Sequence, residues 1–388
     1  MPIVGIYRQQ LNRASETFIR NQIASLREFE PILIGYDYLG RTPASAGLVG
    51  VNASNQLRRL AYEITARDRL AERLLRKSGV SLIHAHFGFD GVYALPMSRR
   101  LGVPLITTFH GLDASLSNTS WIKRRNVPAA RFLLKRKSLA GPSAKIICVS
   151  NAIRNTLLDQ GYTPNRLITH YIGVPTDEIS PSYDREVNTL VHVGRLVEKK
   201  GTRYLIDAFA RILGHPELGR NTRMQIIGSG PLEQELRAQT QQLGVNRLVD
   251  FRGELPRSET IQELRRAAVV CVPSVTAANG DREGLPTVLL EAASTAAPIV
   301  ATYHSGIPEA IIDGRSGLLV PERSSNALAD ALIACLTNRD FARGLGAAAR
   351  RRVVDDFDIT RQTRRLEQIY RTMIAEHARI RVQASTTL

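Results

Sequence analysis

Two successive series of short, continuously apolar runs, each alternating with helix-patterned stretches, constrain this chain more than any other feature. The first series is PIVGIY (2–7), PILIGYD (31–37), SLIHAHF (81–87), PLITTF (104–109), KIICVS (145–150) and RLITHYIG (166–173), with helical stretches at 15–29 and 55–77. The second is NTLVHVGRL (188–196), RMQIIGSG (223–230), RLVDFRG (247–253), AVVCVPS (268–274), APIVATY (297–303) and GLLV (317–320), with helices at 202–213, 232–244 and 324–338. Runs that are continuous rather than alternating fit strands of a parallel sheet covered on both faces by helices. At 388 residues the chain is too long for one hydrophobic core and suits two. The pattern predicts an α/β protein of two Rossmann-like doubly wound domains facing a central cleft, with ligands at the C-terminal edges of the strands. The expected domains are 1–175 and 190–360, joined by a polar linker over 176–189 and followed by a helical segment at 361–388.

No run approaches the roughly 18 apolar residues of a membrane span. MPIVGIYRQQ turns polar too soon for a signal peptide and reads as a first buried strand. Cys148, Cys271 and Cys335 are far apart in sequence and lie in apolar surroundings, which predicts buried thiols in a reducing compartment and no cysteine metal site. The formal net charge is +16, and residues 1–185 hold 25 Lys and Arg against 13 Asp and Glu. The densest block, 121–141, interleaves Trp121, Phe132, Leu133 and Leu134 with Lys123, Arg124, Arg125, Arg131, Lys135, Arg136 and Lys137. Two readings stay open for it: a solvated helix face above a buried Leu stripe, or a surface that holds anionic lipid. No nucleic-acid reader motif accompanies the charge, so nucleic acid is not the expected partner.

Three strand-end loops of the second series carry ligand chemistry. VHVGRLVEKKG puts Gly194 and Arg195 just after a strand and Lys200 just before a helix. Two fixed cations there can neutralise charge building on a leaving diphosphate; the alternative is an exposed loop with solvated charges. In IIGSGP, Gly228 and Gly230 let a ligand approach backbone N–H groups and a helix N-terminus, although the loop is neither a Walker loop nor a dinucleotide GxGxxG. In GDREGLPTVLLEAA, Gly284, Leu285 and Pro286 form a tight loop into an apolar helix, with Pro286 suited to its first turn. Glu283 and Glu291 stand at its two ends. Eight residues of helix span about 12 Å, so these carboxylates share neither one proton nor one metal ion. They fit two ends of one long ligand, with an anion in the middle and hydroxyl-rich groups outside: a nucleotide-sugar.

In the first series, TTFHGLD places His110 directly after a strand, where an imidazole can hydrogen-bond a sugar hydroxyl or phosphate; a satisfied structural histidine is the alternative. His84 and His86 share one face of the HAHFG strand, and at least one of them is expected to be structural. No third ligand and no HExxH pattern accompanies them, so no metal is expected there.

With these pieces in order, the chain resembles a retaining glycosyltransferase of the large GT4 family, of GT-B architecture. The carriers are VHVGRLVEKKG, IIGSGPLEQEL, VDFRGEL, the EGLPTVLLEA segment with its E-x7-E pair, and SGIPEAIIDGRSGLLV, over about 188–338. The N-terminal half contributes TTFHG and HAHFG. By resemblance, Arg195 and Lys200 hold the donor diphosphate, with Gly194, Gly228 and Gly230 in the same loops. Glu291 binds the ribose and Glu283 the donor sugar. Amides around Gly284, Leu285, Pro286, Thr287 and Val288 meet diphosphate and sugar, Arg252 lies near the base, and His110 approaches the transferred sugar. His110, Arg195, Lys200 and Glu283 form the implied catalytic set, and the segment 361–388 is implied to return to the N-terminal domain.

The chain departs from the family pattern after its first strand. In place of a glycine-rich loop it has RQQLNRASETFIRNQI, similar to a sub-group of bacterial exopolysaccharide and colanic-acid-type transferases. Ser15, Glu16 and Thr17 are expected on the acceptor side, Ser15 as a helix N-cap. The resemblance implies transfer of a sugar from a UDP- or GDP-sugar to a saccharide hydroxyl, with retention and without a metal or other cofactor. The leaving phosphate takes the acceptor proton, so Glu283 is not a nucleophile. A polyprenyl-diphosphate-linked acceptor and a cytoplasmic place at the inner face of the plasma membrane fit the basic block. The rivals are a sugar-nucleotide epimerase of the same architecture and a non-catalytic nucleotide-binding protein at a membrane surface.

Overall fold

The computed structural model describes the chain except residues 12–15, 36, 39–46, 51–55, 187 and 387–388. It forms two compact units, Met1–Gly173 with Ile359–Leu388, and Val174–Asp358. Each is a doubly wound α/β unit, as the apolar runs predict.

The strands of the first unit are β1 (Ile3–Tyr7), β2 (Gln10–Leu11), β3 (Glu30–Gly35), β4 (Asp37–Tyr38), β5 (Gly47–Gly50), β6 (Val80–His86), β7 (Leu105–Phe109), β8 (Ala144–Cys148) and β9 (Leu167–Thr169). Seven of them form a sheet of order β5-β3-β1-β6-β7-β8-β9, and β2 pairs with β4 alongside. All pairings are parallel. The second unit holds β10 (Thr189–Val193), β11 (Arg223–Ile227), β12 (Val249–Gly253), β13 (Val269–Val272), β14 (Ile299–Thr302) and β15 (Leu318–Val320), in the order β12-β11-β10-β13-β14-β15. Chain order reverses between β1 and β6 in one sheet and between β10 and β13 in the other. In open α/β sheets such switch points open the crevice where ligands bind.

The core of the first unit joins Val4, Ile6, Leu33, Leu82, Ile106 and Ile147 to Leu366, Tyr370 and Met373 of the helix Ile359–Thr386. The core of the second includes Leu190, Met224, Val269 and Val300, covered by Leu205 and Phe209 of the helix Thr202–Ile212 and by Leu328 and Leu332 of the helix Ser325–Thr337.

Local departures have local causes. The helix expected over 15–29 is only Thr17–Ala24, because the chain must turn before β3 begins at Glu30. Its cap position is Glu16, while the predicted N-cap Ser15 lies outside the described residues. The helix expected over 55–77 is two, Gln56–Thr65 and Arg69–Ser78, broken where Ala66 takes φ 48°. Asp68 then caps the second through the Ala71 N–H, and Gly79 ends it in the left-handed region. The strand expected over 166–173 lasts only three residues at the sheet edge. Linker residues are bound to the second unit: Arg185 donates to the carbonyls of Leu264, Arg265, Ala267 and Thr295. All three cysteines are buried free thiols.

The aromatic-bearing block needs a correction. Trp121 and Phe132 do not face outward but pack on each other with ring centroids 4.8 Å apart, both buried. What stays outside is Ile122 and Leu134, 64% and 80% exposed, beside exposed Lys123, Arg124, Arg125, Lys135 and Lys137. Aromatic rings interleaved with charge at helical spacing here mark the core face of the helices Asn118–Lys123 and Val127–Lys135.

Candidate functional site

In the second unit the loops after β10, β11 and β12 are stacked by backbone hydrogen bonds. Gly194 N–H donates to Ile227 O, Leu196 N–H to Ser229 O and Gly228 N–H to Gly253 O, at 2.9, 2.8 and 2.7 Å. This explains much of the glycine pattern. A Cβ on Gly228, whose φ is 130°, would lie 2.1 Å from Gly194 O, and one on Gly230 would lie 2.5 Å from Leu196 O. Both glycines serve loop-on-loop packing, whatever they do for a ligand. A Cβ on Gly194 would press on the Lys200 stem at 3.2 Å, so Gly194 makes room for that lysine.

Lys200 ends a 3-10 turn, Glu198–Lys200, that leads through Gly201 into the helix Thr202–Ile212. Its Nζ lies 3.1 Å from Glu283 Oε1, and Lys199 Nζ lies 3.7 Å from the same oxygen and 3.2 Å from Asp281 Oδ1. Burial alone would raise the Glu283 carboxyl, but Lys200 and Lys199 outweigh it and draw it down to about 2. Glu283 is therefore an anion at any physiological pH. Arg195, by contrast, is exposed and makes no ion pair among the described residues.

Gly284, Leu285 and Pro286 are buried, and the helix Thr287–Ser294 follows with no side chain capping its N-terminus. Pro286 takes the cap position rather than the first helical turn. The amides of Thr287 and Val288, half-buried at that uncapped end, can meet an anion. Glu291, one turn further, accepts a hydrogen bond from Arg257 Nε at 3.0 Å. Its burial outweighs this cation, so its carboxyl is raised. Arg252 Nη1 donates to Gln225 Oε1 at 3.3 Å and Glu263 Oε1 at 3.4 Å. Lys199, Asp281 and Arg257 were not anticipated. Lys199 was legible in the KK pair, whereas Arg257 stands far from its partner in sequence.

In the first unit, His110 follows β7 and is half-buried. Its Nε2 is 3.2 Å from His86 Nδ1, and its ring meets those of Phe18 and Phe87 with centroids 4.8 and 4.6 Å away. Asp113 holds this loop by accepting the N–H groups of Gly88, His110 and Gly111 at 2.7, 3.0 and 3.1 Å. His84 is structural, with Nδ1 2.6 Å from Tyr370 Oη and Nε2 2.7 Å from Thr108 Oγ1. Burial, with neighbouring positive charge, holds His84, His86 and His110 well below the usual imidazole range, so all three are neutral at neutral pH.

Glu16 has both carboxylate oxygens on Arg8, at 2.8 and 3.0 Å, and Arg8 also donates to Asp90 Oδ2 at 2.6 Å. The guanidinium lies 4.6 Å from the Phe87 ring centre. This ion-pair group sits at the β1/β6 switch point and ties the start of the helix Thr17–Ala24 to that of Gly88–Leu101. Among the described residues, no group of three or more His, Cys, Asp or Glu is placed to hold a metal ion, and no helix is long and apolar enough to cross a membrane.

Comparison with known proteins bears on the family and the fold. The profile described as "Glycosyltransferase Family 4" matches residues 15–178, and "Glycosyl transferases group 1" matches 176–352. The glycosyltransferase WcaL ascribed to colanic acid biosynthesis in Escherichia coli is 34% identical over 281 residues, 71% of this chain and 66% of that protein. Its Salmonella typhimurium counterpart is 32% identical over 299 residues, 74% of this chain and 70% of that protein. Among solved structures, Alr3699/HepE of Anabaena in complex with UDP-glucose matches with a TM-score of 0.74 at 19% identity, covering 96% of this chain and all of the other.

Proposed function

We propose, since the chain belongs to the family 4 glycosyltransferases of GT-B fold, that it moves a sugar from a UDP- or GDP-sugar to a hydroxyl of a saccharide acceptor with retention of anomeric configuration. The observation that carries this reading is the grouping, in one unit, of the Lys200–Glu283 pair, the free Arg195 and the uncapped helix Thr287–Ser294. It offers positive charge and open amides for a diphosphate beside a permanently ionised carboxylate for sugar hydroxyls.

Breaking the glycosidic bond leaves negative charge on the diphosphate and positive character on the sugar ring. Arg195, Lys200 and the Thr287 and Val288 amides stabilise the first. Glu283, kept anionic by two lysines, binds sugar hydroxyls and favours the second. Its distance from a diphosphate is bridged by Lys200, which serves both anions. Glu291, with one oxygen on Arg257, keeps the other for the ribose. In the first unit, neutral His110 hydrogen-bonds the transferred sugar, and the Arg8–Glu16–Asp90 group with Thr17 shapes the acceptor side. The leaving phosphate accepts the acceptor's proton, so no protein carboxylate acts as nucleophile.

Since two cations serve the diphosphate, catalysis proceeds without a divalent ion. Activity is expected to persist after EDTA treatment and desalting, and a loss restored by Mg²⁺ or Mn²⁺ alone would count against this.

The two relatives carry names that speak of colanic acid biosynthesis, and by that likeness we read this chain into extracellular polysaccharide or related cell-envelope synthesis; a polyprenyl-diphosphate-linked acceptor is our own extension of that reading. The exposed cations and Ile122 and Leu134 of the 121–137 segment support reversible binding to an anionic membrane, where each cation near the surface contributes about 1 kcal/mol. Wild-type protein is expected to float with anionic but not neutral liposomes. Changing Lys123, Arg124, Arg125, Lys135, Arg136 and Lys137 to Gln is expected to leave it in the soluble fraction. Equal behaviour of the two proteins removes the membrane role and leaves the transferase role standing. The assay for the function itself pairs radiolabelled nucleotide-sugars with lipid-linked saccharides and follows label into product.

A further inference from the structure

The geometry points to His304 and Glu322 as positioning residues that set the sugar-binding turn at Glu283, through a single fixed imidazole tautomer. This rests on the reading of Glu283 as the donor-sugar carboxylate.

His304 follows β14 and is 1% exposed. Its Nε2 lies 3.1 Å from the backbone nitrogen of Glu283. A backbone N–H only donates, so Nε2 is the acceptor and the ring proton sits on Nδ1. That proton is donated to Glu322 Oε1 at 2.6 Å. Glu322 is itself held, accepting the Thr276 N–H on Oε2 at 2.8 Å and facing the Thr276 hydroxyl at 3.3 Å. Two residues beyond His304, Gly306 N–H donates to Gly284 O at 3.1 Å, so the turn is clasped at both residues. Between the clasps Ser305 takes φ 46°, a left-handed conformation uncommon outside glycine, which the surrounding bonds hold in place.

Glu283 belongs to no strand or helix, and among the described residues the bond made by its N–H is to this side chain. The direction of its carboxylate toward Lys199 and Lys200 thus depends on which nitrogen of His304 is protonated. A second proton on His304 would turn Nε2 into a donor facing a donor and open the turn. Glu322, Glu283 and Arg282 are the charged groups facing the ring; burial holds its affinity for that proton down, against the two carboxylates. Acidification therefore releases the turn, and neutral pH keeps it closed.

The test is calorimetric binding of two probe pairs, UDP-glucose with UDP and GDP-mannose with GDP, to wild type, Glu322→Gln, His304→Gln and His304→Ala, using the pair that binds. The readout is the ratio of nucleotide-sugar to nucleoside diphosphate affinity, which a general loss of stability does not move. Glu322→Gln leaves one acceptor oxygen for two donors; with that oxygen on the Thr276 N–H it presents an amide N–H to Nδ1 and drives the proton to Nε2. It is expected to lower the ratio about tenfold with nucleoside diphosphate affinity nearly unchanged, as is His304→Ala. His304→Gln keeps an acceptor for the Glu283 N–H and is expected to stay within about threefold of wild type. As the pH is lowered below about 6.5 the ratio is expected to fall in wild type and stay flat in His304→Gln. Unchanged ratios in Glu322→Gln and His304→Ala, with only melting temperatures altered, overturn the assignment and leave the donor reading intact. If His304→Ala does not fold, the isosteric Glu322→Gln decides alone. A folded wild type that binds neither UDP nor GDP, nor either nucleotide-sugar, overturns the donor reading, and this assignment with it.

Discussion

Lys200→Ala is expected to lower kcat/KM by roughly 30- to 1000-fold, a loss of about 2–4 kcal/mol of transition-state stabilisation. The lysine has two anionic partners in this account. In the free protein it holds Glu283 at 3.1 Å, and in the reaction it faces the departing diphosphate. Removing it leaves Glu283 to Lys199 at 3.7 Å, so some stability is lost as well. The two effects separate by pH. Because the folded Glu283 carboxyl lies at about 2, below its ordinary 4.5, its contribution to stability is full above about pH 4.5 and is lost as pH falls through about 2. Without Lys200 that loss moves to higher pH, while the kinetic defect persists at neutral pH. A kcat/KM within about threefold of wild type at neutral pH would remove Lys200 from the diphosphate site.

The second large effect divides the two glutamates. Glu291→Ala is expected to weaken nucleoside diphosphate binding by about tenfold or more, and Glu283→Ala to leave it nearly unchanged while nucleotide-sugar turnover collapses. The surroundings of the two carboxylates differ in the same sense. Glu291 has one guanidinium and a raised carboxyl, suited to accepting from neutral ribose hydroxyls; Glu283 has two ammonium groups and a depressed one. Glu291→Ala also leaves Arg257 without its partner at 3.0 Å, so Glu291→Gln serves as the milder control. Calorimetry giving the reverse order would reject this division.

How much of this was legible in the chain follows from the range of the interactions. Continuous apolar runs report burial on both faces, a local property, and so disclosed every strand except β2, β4 and β5. The E-x7-E segment disclosed Glu283 and Glu291 because both ends of one loop and helix are close in sequence. What sequence did not disclose is held by distant partners. Arg257 reaches Glu291 from another helix, Arg8 joins Glu16 to Asp90 across 82 residues, and His304 meets Glu283 across 21. Helix breaks such as Ala66 depend on tertiary packing that overrides a continuous helical pattern. The glycines at 228 and 230 suggested a ligand; in the fold, neighbouring backbone already demands them. The inward Trp121 and Phe132 show the same limit, since composition alone does not say which face of a basic helix is core.

The most direct test of the central claim is the anomeric configuration of the product. Purified protein is incubated with an α-linked UDP- or GDP-sugar and a polyprenyl-diphosphate-linked saccharide, and the new linkage is read by NMR. The account predicts a lipid-linked product carrying one added sugar in α linkage, formed without added metal and at least about thirtyfold more slowly by Lys200→Ala. A β-linked product, or conversion of the nucleotide-sugar to an epimer without transfer, would contradict it.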